Sequence, residues 1–373
     1  MREKTKRVKW LLAAVAALAV AGTAVAVAQD DYNTTGHGAT PWQTTPTPVA
    51  NGDLTAVTAL AANDVYAVGY RTLSVTQVEA VLLHWDGTAW TQHSTLPANS
   101  WPQSLDVRSA NDIWAAGGGT AHWDGAKWTS FPLGTPPVPG GPPPSQVLPD
   151  AVASAADGPV WVAGRQMGRD GVKTGVPAIS EWDGAKWVAQ TLPAGLGNGE
   201  LTGLSVVSET DVWAAGSTFA ATEADAQKPL LLHWDGTTWT KADAPAVPNV
   251  ATWLSGVTAF SANDVWAVGG SYADRGDRPY ALHFDGRKWT VTNTPQVPDG
   301  RLRVLGKSAG ELWALGGKGA ATVALRWTGR NWTQTPAPDL VLRSFTTVPN
   351  SATLWAVGVA KDKDLVPVVA KLR

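Results

Sequence analysis

Cysteine is missing from all 373 residues, so neither disulfides nor thiolate metal sites hold this chain together. Charge is sparse too: Asp, Glu, Lys and Arg make up 16% of the chain and nearly balance, at a net −2. A nucleic-acid partner needs a clustered basic face, and this balance argues against one. Phenylalanine and tyrosine are scarce at five each, yet there are 21 tryptophans, with 38 Gly and 26 Pro. Such a composition points to many short strands joined by tight turns.

The N-terminus stands apart. MREKTKRVKW is basic, and the apolar run at 11–28 ends in Ala26-Val27-Ala28, the pattern of a signal cleavage site. The expectation is a secreted or extracytoplasmic protein, with residues 11–28 either cleaved or, at 18 residues, kept as a membrane anchor. Removing 1–28 takes away five basic residues and one acid, leaving a net charge of −6. With no cysteine at the cleavage site, a lipid-modified lipoprotein is excluded. Residues 29–40 read as a flexible lead-in and 41–373 as a single domain.

Two elements repeat along that domain. LLHWDGTAWT (82–91) returns as AHWDGAKWT (121–129), SEWDGAKWV (180–188), LLHWDGTTWT (231–240), ALHFDGRKWT (281–290) and LRWTGRNWT (325–333), six times in all. Upstream of each lies an element such as NDVYAVG (63–69), with strand-like cores near 64–69, 112–117, 160–164, 211–216, 264–269, 311–316 and 353–358, seven in all. Four strands per unit follow, a to d, with Asp-Gly expected as a two-residue type I′ turn between c and d. The seventh unit stops before strand d, and PWQTTPTP (41–48) resembles NWTQTPAP (331–338). The expectation is an all-β, seven-bladed β-propeller of four-stranded antiparallel blades, the last blade closed by an N-terminal strand d.

These repeats resemble the kelch-like propellers of secreted bacterial proteins and of the galactose oxidase central domain. An aromatic strand b ending in Gly-Gly (Gly117-Gly118, Gly269-Gly270, Gly316-Gly317), an aromatic-Asp pair and a Trp five positions after that aromatic carry the likeness. The c–d hairpins also resemble the sialidase Asp-box. Departures are a shorter c–d turn, Trp where Tyr is usual, and a single Gly after strand b in four blades. The resemblance implies fold, not activity. A copper radical oxidase needs a Tyr–Cys crosslink, which a chain without cysteine cannot form.

Of the 20 tryptophans after residue 28, 18 occupy repeat positions and read as packing between blades. Four histidines share one repeat position on four different blades, too far apart for one ion. They read instead as cross-strand pairs: Asp64 with His84, Asp112 with His122, Asp211 with His233, Asp264 with His283, and Glu311 with Arg326 in their place. No metal and no cofactor is expected.

Function is sought where the repeats differ, on the b–c and d–a loops. Aligning NDIW (111–114) with NDVW (263–266) puts Asp53, Trp101, Leu148, Glu200, Trp253 and Gly300 at one position by the mouth of the central channel. Trp101 and Trp253 stack a sugar or else plug the mouth; Asp53 and Glu200 would accept its hydroxyls, with Tyr272 and Tyr280 nearby. The leading expectation is a monomeric binding or scaffold propeller with a glycan, or a cell-surface protein, as ligand. The alternatives are a hydrolase or lyase using Asp53 and Glu200, and a protein-interaction platform without a small ligand. Arg275-Gly276-Asp277 is an adhesion-like tripeptide, Arg165, Arg169, Asp170 and Lys173 a solvated cluster, and 132–149 a proline-rich spacer.

Overall fold

The computed structural model describes residues 41–98, 100–134, 146–168, 171–219, 226–273, 276–361, 363 and 365–372. The expected signal segment, the lead-in, Arg169, Asp170, Arg275 and most of the proline-rich spacer lie outside the described residues. Those described form seven four-stranded antiparallel sheets, each in the order a-b-c-d. In blade 1 the strands are Gly52–Ala61, Asp64–Ser74, Gln77–Trp85 and Trp90–Thr95. Strands a of the later blades are Pro102–Ser109, Val147–Ser154, Gly199–Ser208, Thr252–Ser261, Leu302–Ser308 and Val341–Thr347. Each strand a touches the next, and that of blade 7 returns to that of blade 1, so the seven line a closed ring around the axis.

Closure uses the two ends of the domain. Gln43–Thr45 pairs with Pro367–Leu372 as strand d of blade 7, with Gln43 opposite Lys371. Trp42 is 5% exposed and its indole N–H donates to Pro336 O at 3.0 Å, which anchors the strand against blade 6. The sequence element that the last blade lacks is therefore supplied from the front of the domain.

One repeated device shapes every blade. The glycine three residues after the strand-b aromatic sits where an added Cβ would meet the backbone oxygen of strand a at about 2 Å: Gly69 against Asp53, Gly117 against Trp101, Gly164 against Leu148, Gly216 against Glu200, Gly269 against Trp253, Gly316 against Arg301, Gly358 against Val341. Two residues further on, strand a bulges in all seven blades, leaving Thr55, Gln103, Asp150, Thr202, Ser255, Arg303 and Arg343 unpaired. A bulge adds a residue to one strand and re-aims its side chain.

The c–d hairpin differs from the expected turn. Trp85 pairs directly with Trp90, leaving a four-residue loop in which Gly87, at φ 100°, is left-handed and Asp86 is not. The Asp86 carboxylate explains the choice: Oδ1 accepts the Thr88 and Ala89 amides at 2.8 and 2.9 Å. These bonds, the Thr88 hydroxyl first, hold its pKa down to about 2. Asp124, Asp183, Asp235 and Asp285 do the same, so the aspartate is a turn former through its side chain.

Tryptophans from strands c and d pack on the strand-b aromatic of the preceding blade. Trp85 and Trp90 meet Trp355 at centroid distances of 5.1 and 5.4 Å, and Trp327 and Trp332 meet Trp266 at 5.0 and 5.6 Å. Each such pair adds about 1 kcal/mol beyond its buried area. In place of disulfides, aromatic contacts join blade to blade.

Candidate functional site

At the regular end of the blades, histidine rings lie flat on the strand-b aromatic of their own sheet: His122 on Trp114 at 4.3 Å, His233 on Trp213 at 4.2 Å, His283 on Trp266 at 4.2 Å. Their Nε2 atoms reach the acid that begins strand b. The distances are 2.8 Å for His84 to Asp64, 2.8 Å for His122 to Asp112, 2.9 Å for His233 to Asp211 and 3.0 Å for His283 to Asp264. Arg326 meets Glu311 at 2.9 Å in blade 6. Each partner is satisfied by its neighbours, Asp264 also by Lys307 of the next blade at 2.5 Å, so this end offers packing and turns rather than converging chemistry.

The irregular end is different. Its channel mouth is ringed by the residue two places before each bulge residue and by the bulge residue itself. The first set is Asp53, Trp101, Leu148, Glu200, Trp253, Arg301 and Val341. Gly300, expected in this set, is one place early. Blade 5 has a second bulge between Ala259 and Ser261 that blade 6 lacks, so a fixed offset from strand b overshoots there by one.

Bulge side chains reach toward the next blade. Thr55 donates to Pro102 O at 2.7 Å and Thr202 to Leu254 O at 3.2 Å. Arg343 of blade 7 donates through Nε to Asp53 of blade 1 at 2.8 Å. Asp53 is 3% exposed; burial raises its pKa against the opposing pull of Arg343. Glu200 is taken by Arg165 of blade 3 at 2.6 Å, and beside them Asp150 is pushed up to about 6 by burial and by the Glu200 charge.

The two carboxylates expected to receive sugar hydroxyls, or to act as a catalytic pair, are therefore already bound by arginines on different blades. Tyr280 is also withdrawn: it is 3% exposed, its hydroxyl donates to Pro245 O, and burial raises its pKa. Asp277 of the adhesion-like tripeptide is 4% exposed and lies 3.4 Å from Lys318, unavailable to a receptor. Tyr272 and Trp101 stay exposed, at 49% and 46%. Trp253 is half-buried with its ring over Gly270, where any larger residue would collide. Trp101 stands edge-on to Tyr70 at 5.6 Å and borders a cavity of about 300 Å³ with Pro102, Thr120, Phe131 and Pro132, left open by the short b–c connection of blade 2.

Among the described residues, nine large apolar side chains are exposed. Seven of them lie at this end: Leu73, Val78, Val176 and Tyr272 on the b–c hairpin ends of strands b or c, and Val75, Leu365 and Trp101 in b–c or d–a connections; Val188 and Val291 lie on outer strands d. Arg165, expected in a solvated charge cluster, is instead largely buried against Glu200, and Arg301, Arg303 and Arg343 were not singled out from sequence. Aligning the residue after the Leu or Pro that faces the strand-b glycine would have found Arg303 and Arg343.

The fold defines the class: a seven-bladed β-propeller of four-stranded antiparallel blades. Solved structures with this architecture include YCF48 bound to D1 peptide (14% identity, TM-score 0.54, covering 90% of this chain and 96% of that one). YCF48 from Cyanidioschyzon merolae is similar at 15% identity and TM-score 0.53, covering 88% and 98%. So is the WD40 propeller domain of Doa1, at 13% and 0.55, covering 88% and 95%. At these identities the likeness shows fold alone. No protein-family model and no curated protein matches the sequence.

Proposed function

We propose that this chain is an extracytoplasmic binding propeller whose irregular face receives a segment of another protein. The observation that carries the reading is the gathering of seven of nine exposed large apolar side chains on that face, beside a charged channel mouth. Exposed apolar groups rimmed by polar ones mark protein contact surfaces. A propeller of this fold, YCF48, has been solved with a peptide bound, so the architecture accepts such a ligand. Export rests on the basic and apolar N-terminal run of the sequence.

Cross-linking the full chain in its native envelope, followed by mass spectrometry, tests this. Adducts are expected on residues 71–79, 100–103 and 271–280; adducts concentrated on the c–d turns instead reject it. A glycan reading keeps one support, the exposed Trp101 ring beside its cavity. Affinity electrophoresis in polysaccharide gels with Trp101→Ala checks it: equal mobility of variant and parent in every gel removes this reading.

A further inference from the structure

Among the described residues, Arg165 and Arg303 each have a shielded Nε without a partner; Arg165 still pairs with Glu200 through Nη1, whereas Arg303 faces no carboxylate. It is the bulge residue of blade 6, half-buried, and its Nε is shielded from water with no hydrogen-bond partner. Its charged neighbours are of its own sign: Arg301 and Arg343 lie close enough, together with burial, to lower its pKa to about 10. A guanidinium N–H shielded from water without an acceptor is unfavourable, and an anion that accepts from it removes that cost.

The relation between bulges explains the gap. Arg343, the bulge residue of blade 7, reaches the residue two places before the bulge residue of blade 1, and finds Asp53 there. For Arg303 the matching position is Val341, which offers no acceptor side chain. The acids nearby are committed elsewhere. Asp53 holds Arg343 at 2.8 Å; Asp277 lies 3.4 Å from Lys318 and 4.0 Å from Arg301, and Asp299 is 4.0 Å from Lys318. Arg301 spends its Nε on Gly317 O at 3.3 Å. In a chain of net negative charge, blades 6 and 7 thus place three guanidiniums on adjoining innermost strands, with one left open.

We propose that Arg303, flanked by Arg301 and Arg343, binds a carboxylate at the channel mouth. A planar guanidinium takes a carboxylate through two parallel bonds, and flanking cations strengthen each of them. The carboxylate comes from an acidic side chain or the terminus of a protein segment lying on the irregular face. Only that source rests on the function proposed above; the anion site stands on the geometry of Arg303.

Thermal unfolding of the full chain in citrate or acetate, against chloride at equal ionic strength, tests the site. The carboxylates are expected to raise the midpoint above chloride, with an affinity about tenfold lower in Arg303→Gln. Val341→Asp supplies the missing acceptor from within: it is expected to melt higher than the parent in chloride and to lose the citrate response. Equal behaviour of citrate and chloride on the parent, or an undiminished citrate response in both variants, overturns the proposal. A Glu-rich hexapeptide with a free C-terminus, compared with its amidated Gln counterpart, identifies the source. Citrate binding without binding of either peptide leaves the anion site standing and rejects the protein-segment partner.

Discussion

Arg343 Nε lies 2.8 Å from Asp53 Oδ2 across the joint between the last blade and the first. The pair is the charged counterpart of the aromatic contacts at the same joint, where Trp85 and Trp90 rest on Trp355. Removing one partner of such a pair strands the other. Asp53→Asn is expected to destabilise the fold by about 3 kcal/mol, discounted toward 2 because the Arg343 side chain is partly exposed. Urea denaturation measures it, and a loss below about 0.5 kcal/mol would show that the joint does not depend on the charge.

The closing strand is short, so its anchor matters more than its ladder. Trp42→Ala removes a buried indole and its bond to Pro336 O. A loss of about 3 to 5 kcal/mol is expected in calorimetry, with amide exchange accelerated first along 367–372. Uniform acceleration over all seven blades would contradict this order.

The strand-b glycines admit no side chain. Gly69→Ala sets a Cβ about 2.0 Å from Asp53 O and is expected to cost about 3 kcal/mol or to abolish folding. Gly119→Ala, with open space around it, is expected to stay within about 0.5 kcal/mol of the parent. Melting temperatures of the two variants check the contrast.

Asp106 gives the fold a pH dependence. Its carboxylate faces the Ser154 hydroxyl at 2.5 Å, and burial pushes its pKa up to about 6 from an ordinary 3.8. The native state therefore keeps a proton that the unfolded chain releases above pH 3.8. The stability contributed by this group is full below that value, declines by roughly 3 kcal/mol in total between it and about pH 6, and then levels off. Asp106→Asn is expected to flatten the decline when stability is measured from pH 4 to pH 7.

The repeats could be read from sequence because tryptophan, Asp-Gly and the strand-b glycine recur at fixed places and each answers to a local cause. Trp85, Trp90 and Gly87 are of this kind. The hairpin loop was legible in place but not in length, since the Asp86 side chain, rather than its backbone angle, makes the turn. Blade 6 slipped by one residue because a bulge is invisible to an offset counted along the chain, so Gly300 stood in for Arg301. The ties of Asp53 to Arg343 and of Glu200 to Arg165 join different blades, and nothing local in the chain announces them. Both carboxylates looked free for that reason.

The closing strand also sets an order of events. Gln43 pairs with Lys371, so a contact near the start of the domain waits for residues made more than 300 positions later. Six blades fold from neighbours along the chain, whereas the seventh depends on a pairing of very high sequence separation, the slow kind to form. Until then, Pro367–Leu372 presents an open sheet edge to any strand that arrives first. A second copy can offer its own 43–45 strand to that edge. Slow refolding at high concentration should thus yield exchanged dimers, while dilution favours the closed ring.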